Sequence, residues 1–171
     1  MIIHSRSRLF LDFIVTSMPS SRLLDSFDVR AFRFHQPIPF RWADLDSMGH
    51  TNNAIYLTYF EQIRILYARD VMKWEWEQMG MILAHTEIDY IQPLTHPQNV
   101  EVLARVIRWG SRSLDMEYAV VDPTTSPPKI YAIARSSLVG FDYSCQKSAI
   151  IPTSYAEAAR NYEPQPIEGL E

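Results

Sequence analysis

Between Arg41 and Arg64 the chain reads RWADLDSMGHTNNAIYLTYFEQIR. Asp44, Asp46, His50, Asn52 and Asn53 crowd together just ahead of a long stretch with helical apolar spacing. Polar groups at that density need partners, because a buried polar group without one is costly. The start of a helix leaves free backbone N–H groups that favour negative charge. A carboxylate, a histidine and two asparagines beside such amides suit attack on a carbonyl carbon. The carboxylate would activate water as a base or attack directly as a nucleophile. The amides would hold the oxygen on which negative charge develops. His50 could orient a substrate, hold a carboxylate or move a proton.

These residues need a frame. From Ala54 to Met72, Tyr56, Phe60, Ile63 and Tyr67 recur three and four residues apart and define one face of a helix. Asn52 stands where an N-cap belongs. Glu61 and Arg64 are placed to pair on the helix surface. Ahead of the helix, FHQPIPFRWAD reads as a strand whose Pro37 and Pro39 suit an edge or a bulge. After it, KWEWEQMGMI carries Gly80 as a terminator, and strand-like runs then dominate. These are MILAHTEIDYIQ, NVEVLARVIRW, SLDMEYAVVD and KIYAIARSSLVGFDY, with Gly110-Ser111 as a hairpin turn between the second and third. Val100, Val102, Ala104 and Val106 form one face of the second run. Leu114, Met116, Tyr118 and Val120 form one face of the third. SYAEAARNY reads as a short closing helix. One long helix followed by hairpin-linked strands is an α+β pattern, with a curved antiparallel sheet wrapped around the helix.

The whole chain bounds the possibilities. Its 171 residues fit one domain, and 47% hydrophobic with 21% charged residues is ordinary for a soluble globular protein. The formal net charge of −4 argues against a nucleic-acid partner. The one cysteine, Cys145, excludes an internal disulfide framework and a cysteine-rich zinc site, and it fits a cytoplasmic setting. The five histidines show no paired metal-ligand spacing, so no metal is expected. No apolar run is long enough to span a bilayer. Arg6 and Arg8 before LFLDFIV faintly suggest a signal peptide, but Asp12 interrupts the apolar run and no small-residue cleavage site follows. Residues 1–32 are therefore expected to be a poorly ordered extension, with Met18 as an alternative start. Residues 33–162 are expected to form the domain and 163–171 a tail.

The segment from Asp44 to Arg64 also resembles the signature of the hotdog-fold acyl-CoA thioesterases, the branch of the 4-hydroxybenzoyl-CoA and long-chain acyl-CoA enzymes. The resemblance lies in Asp44 and Asp46 of DLD, in Gly49, His50, Asn52 and Asn53 of GHTNNA, in Tyr56, and in Tyr59-Phe60-Glu61 leading to Arg64. A looser resemblance covers residues 34 to 160. It implies a hotdog fold, hydrolysis of acyl-CoA without a cofactor, and a homodimer or homotetramer with sites at subunit interfaces. It places the acidic catalyst on Asp46 and the carbonyl-polarising amide on Asn53, seven residues later. Taken alone, an Asp before a helix more often stabilises a turn through Asx-type hydrogen bonds than it catalyses, and the GHTNN match is what turns Asp46 toward catalysis. Asp44 is expected to orient or support. Distant acyl-carrier-protein thioesterases carry an Asp-x-Asn-x-His constellation, and here Met48 stands where the Asn would be. Another branch uses a carboxylate on the long helix, which makes Glu61 a second candidate beside its plainer pairing with Arg64.

Substrate contacts are expected from Asn52, Tyr56 and Phe60, with Tyr59 beside them and Trp74, Trp76, Met79 and Met81 as further apolar lining. Arg112 is the phosphate-binding candidate, with Arg108, Arg135 and Lys147 behind it. An acyl carrier protein is a second expected partner. Two other readings compete: a hotdog module that binds acyl-CoA or acyl carrier protein without hydrolysis, and an enoyl-CoA hydratase. The hydratase reading loses weight because the Asp-x-Asn-Pro-x-His and His-x-x-Gly-x-Pro patterns are missing.

Overall fold

The computed structural model describes residues 22–37, 39–77, 79–95 and 99–170. Residues 1–21, including the suggested signal-like run and Met18, lie outside the described residues. Five main strands form one antiparallel sheet: β1 (Phe34–Pro37), β2 (Gly80–Tyr90), β3 (Glu101–Trp109), β4 (Ser113–Asp122) and β5 (Lys129–Asp142). Their spatial order is β1-β3-β4-β5-β2, and the short β6 (Lys147–Ser148) pairs with β5. Register shifts interrupt the β2–β5, β3–β4 and β4–β5 pairings. Such irregularities bend and twist strands, and the sheet curls around the long helix, α2 (Asn53–Tyr67). This is the hotdog architecture, and the α+β reading of the sequence holds.

Burial follows the alternation seen in the sequence. Leu114, Met116, Tyr118 and Val120 are fully buried on the concave face, beside Val102, Ala104 and Val106 of β3. Tyr56, Tyr59, Phe60, Ile63 and Tyr67 fill that concavity from the helix. Phe60 stacks on Tyr118 with ring centroids 5.3 Å apart. Pro37 ends the edge strand β1, where a missing N–H is tolerated. The helix runs on through a π-helical turn (Ala68–Met72) and stops at Lys73, whose φ of 58° turns the chain into the left-handed region. Lys73, not Gly80, is thus the terminator. Gly80 opens β2 instead, and a Cβ there would overlap the Tyr143 ring. α3 (Thr153–Tyr162) closes the domain, with Tyr155 stacked on Trp74 at 4.4 Å.

Segments expected to lie outside the domain contribute to it. α1 (Arg22–Asp25) and a 3-10 turn (Val29–Ala31) follow residue 21. Phe27, Val29 and Phe32 cover Leu103, Ala119 and Val121 on the convex face of the sheet. At the other end, Ile167 is buried, and Glu168 exchanges backbone hydrogen bonds with Ile107 and Trp109 of β3. Neither segment has the periodicity of a longer element, so no spacing signal announces this packing.

Candidate active site

The loop before α2 folds back on itself as a small hairpin. Leu45 and Thr51 form an antiparallel bridge. The Asn52 N–H donates to the Asp44 carbonyl at 2.9 Å, and the Asp46 N–H donates to the His50 carbonyl at 2.7 Å. Gly49 closes the turn with φ of 76°, a conformation glycine adopts without steric cost. A bond from the Thr51 N–H to the Leu94 carbonyl, 2.7 Å long, ties the hairpin to the body of the domain.

The two aspartates of this loop have separate environments. Asp44 is fully buried and accepts four hydrogen bonds: from the Arg41 N–H (2.9 Å), from Arg41 Nε (3.1 Å) and Nη2 (2.9 Å), and from the Tyr59 hydroxyl (2.9 Å). Burial pushes its pKa up. The bonds from Arg41 and Tyr59 together outweigh burial and hold the carboxyl below its ordinary value. Asp46 is half-buried, and its Oδ1 accepts from the Met48 N–H at 2.8 Å and the His50 N–H at 3.2 Å. Its Oδ2 has no hydrogen-bond partner among the described residues. The Asx-turn role is therefore present, and it engages one oxygen only.

At the helix start the amides are divided in the same way. Asn52 is the N-cap: its side-chain oxygen accepts from the Ala54 N–H at 2.9 Å, and its carbonyl accepts from the Ile55 N–H at 2.9 Å. The Asn53 N–H, first in the helix, has no partner among the described residues. The Asn53 carbonyl accepts from the Tyr90 hydroxyl at 3.2 Å, which fixes the far end of β2 against the helix start. The half-buried His50 imidazole makes no hydrogen bond or ion pair with the described residues.

Asp46, His50, Asn52 and Asn53 are brought together by one hairpin and one helix start. Tyr56 and Phe60 lie one and two turns down α2. Tyr56 is buried against Tyr59 and Tyr90, and burial pushes its hydroxyl up to about 12. Arg112 is not brought to this group. The helix start meets the sheet where Tyr90 and Val120 flank Ala132. Arg112 precedes Val120 by eight residues along β4, so roughly 25 Å of strand separates them within one chain. Its guanidinium donates instead to the Ser148 carbonyl. Arg108 and Arg135 are tied to Asp115 and to the buried Glu117. Trp74 packs under α3, and its indole N–H donates to the Met79 carbonyl at 2.9 Å.

Beside the helix, between α2 and β2, lies a cavity of about 260 Å³ lined by Leu57, Thr58, Phe60, Glu61, Arg64, Met81, Leu83, Thr86 and Ser136. Glu61 and Arg64 line it without forming the expected ion pair. Sequence reading singled out neither Thr86 nor Ser136, because single hydroxyls inside strands carry no spacing signal. Among the described residues, no group of three or more His, Cys, Asp or Glu gathers closely enough to hold a metal ion. None of the described helices is long and apolar enough to cross a membrane.

A family model described as the thioesterase-like superfamily matches residues 40–159. Among curated proteins, the uncharacterized protein YsmA of Bacillus subtilis (strain 168) is 28% identical over 89 residues, 52% of this chain and 60% of that protein. The chain thus spans less than two thirds of the length of this relative. Among solved structures, a thioesterase from Thermus thermophilus, complexed with coenzyme A and Zn, matches with a TM-score of 0.70 and 29% identity, covering 81% of this chain and 100% of that one. The PA5185 protein of Pseudomonas aeruginosa strain PAO1 matches with a TM-score of 0.71 and 24% identity, covering 78% and 94%; it shares the fold.

Proposed function

The chain belongs to the thioesterase-like superfamily, and from that premise we propose that it hydrolyses acyl-CoA thioesters to a free acid and CoA, with Asp46 as the reacting carboxylate. The observation that carries this reading is the free Asn53 N–H beside the Asp46 turn. An amide held ready at a helix start needs no rearrangement to receive a developing oxyanion. In the base route, Asp46 takes a proton from water as the water oxygen bonds to the thioester carbon. The carbonyl oxygen becomes negative at the Asn53 N–H. The C–S bond then breaks, and the sulfur leaves as the CoA thiolate, which takes up a proton. In the nucleophilic route, Asp46 Oδ2 bonds to the carbon first, the C–S bond breaks and the CoA thiolate leaves and takes up a proton, and water then cleaves the resulting anhydride to the free acid and the Asp46 carboxylate. In solvent labelled with heavy oxygen, label found in Asp46 after a single turnover would establish the second route, with water attacking the Asp46 carbonyl of the anhydride.

CoA bound to the Thermus thermophilus thioesterase supports CoA as the carrier. An acyl carrier protein is the other carrier to test. A homodimer formed through β2 also fits the fold. Its eleven residues lie at the sheet edge, and Ile82 and Leu83 are exposed there at 37% and 43%. An uncapped edge of that length is a template for pairing with a second copy. A larger mass in sedimentation, reduced by Leu83→Lys, would support this assembly; a monomer in the wild type would end it.

The test of the activity is an acyl-CoA panel of several chain lengths, aromatic acyl groups included, with release of free thiol as the readout. Tight acyl-CoA binding with no thiol release would instead favour a non-hydrolytic module. That reading draws on the turn bonds of Asp46 Oδ1. Absorbance change with enoyl-CoA but no thiol would point to hydration.

A further inference from the structure

The cavity between α2 and β2 is apolar at Leu57, Phe60, Met81 and Leu83, and polar at Glu61, Arg64, Thr86 and Ser136. Behind its polar end lies a buried phenol. Tyr118 of β4 is fully buried, and its hydroxyl has no hydrogen-bond partner among the described residues. Arg64 and Ser136 stand next to that hydroxyl, interact with it and line the cavity, while Tyr118 itself lies behind them, outside the lining. Ser136 shares a hydrogen bond of 2.8 Å with Thr86 across the β2–β5 pairing. Half-buried Arg64 has no carboxylate within ion-pair distance among the described residues, although Glu61 lies three positions before it. A half-buried guanidinium without a carboxylate partner, set beside the apolar part of a cavity, keeps donors that a ligand oxygen can engage.

The position of this polar end relative to the helix start gives it a substrate role. Arg64 follows Asn53 by eleven residues, a rise of roughly 16 Å along α2, and Leu57 stands roughly 6 Å from the start. An acyl group whose carbonyl sits at the Asn53 N–H and which lies along the helix would pass Leu57 before reaching Glu61 and Arg64. Building on the thioesterase reading, we propose that this cavity receives the far end of the acyl group and selects one bearing a hydroxyl or carbonyl oxygen there. Arg64 donates to that oxygen, and the Tyr118 hydroxyl behind it helps to hold the guanidinium in place. Glu61 balances the charge of Arg64, so the pair favours a neutral polar end over a carboxylate, and Glu61 can accept from a hydroxyl. A wholly aliphatic chain would leave Arg64 desolvated with nothing to bond.

The test uses matched pairs of acyl-CoAs from octanoyl to dodecanoyl, each with and without an ω-hydroxyl, with thiol release as the readout. In the wild type the hydroxylated member should have the higher kcat/KM at the length that reaches Arg64, by about tenfold or more. Arg64→Met should bring that ratio to about one, and Arg64→Lys should keep part of it. Tyr118→Phe should reduce the ratio while leaving the melting temperature unchanged or raised, since it removes an unpartnered buried hydroxyl. Equal rates for both members at every length, or an unchanged ratio in Arg64→Met, would overturn the selection while leaving the thioesterase reading intact. Thiol release from none of the acyl-CoAs would instead defeat the thioesterase reading, and this inference with it.

Discussion

Asp44 and Asp46 stand two residues apart at the foot of one small hairpin, yet the fold treats them in opposite ways. The Asp44 carboxylate is out of water, with four donors converging on its two oxygens. It ties Arg41, the loop and Tyr59 of α2 into one unit. Asp46 uses one oxygen to shape the turn and leaves the other without a partner among the described residues. A carboxylate whose lone pairs are all taken by fixed donors is a poor base and a poor nucleophile. A half-engaged one is held in place and still has an oxygen to offer. On the proposed reading, the Asp-x-Asp pair divides into a supporting member and a reacting member, and environment alone makes the difference.

The largest effect that could break this division is on turnover. Asp46→Asn keeps a side-chain oxygen for the Met48 and His50 amides, so the turn survives. It removes the charge and the basicity. Acyl-CoA hydrolysis should fall by at least about 10², the lower range for a lost acid-base group, with little change in melting temperature. Full activity in this variant would reverse the assignment of the two aspartates.

Asp44→Asn should show the opposite pattern. The amide nitrogen must face a donor, either an Arg41 N–H or the Tyr59 hydroxyl, and the charge that holds Arg41 is gone. A loss of about 2–3 kcal/mol in urea unfolding is expected, with a smaller fall in turnover per folded molecule than Asp46→Asn. The pH dependence sharpens this. The folded pKa of Asp44 is depressed by Arg41 and Tyr59 despite burial. Its contribution is therefore present above the unfolded value of about 3.9 and is lost as pH falls through the lower folded value. The stability gap between wild type and Asp44→Asn should be widest near neutrality and shrink in acid. A gap that stays constant down to about pH 3 would mean that ionised Asp44 adds nothing.

The contrast also marks how far the sequence could be read. The helix, the strand faces and the N-cap follow from periodicity and residue type, because burial of one face imposes the spacing. The role of Asp44 was visible only as support, since its partner Tyr59 lies fifteen residues away and reads as one more aromatic on a helix. The placement of Arg112 depended on strand register, which a turn motif does not reveal. The cavity beside Arg64 joins residues from α2, β2 and β5, with Tyr118 of β4 behind them. Their adjacency comes from the curl of the sheet, and no local pattern encodes it. The packing of residues 22–32 was hidden for a related reason: Phe27, Val29 and Phe32 match a patch created by side chains on a distant strand pair.

The smallest effect concerns the helix start that both aspartates serve. Asn52→Ala removes the acceptor of the Ala54 N–H while leaving the Asn52 carbonyl bonded to Ile55. Loss of an N-cap of this type costs about 1 kcal/mol, which should appear as a modest shift in the urea midpoint. The effect on turnover separates two roles for the amides. If Asn53 alone holds the oxyanion, freeing the Ala54 N–H should leave kcat close to that of the wild type, because the Asn53 donor is still set by the Asp44–Asn52 and Asp46–His50 backbone bonds. A fall in kcat much larger than the loss of stability would show that the Asn52 side chain contacts the substrate directly, and the line between support and reaction would then run through Asn52 as well.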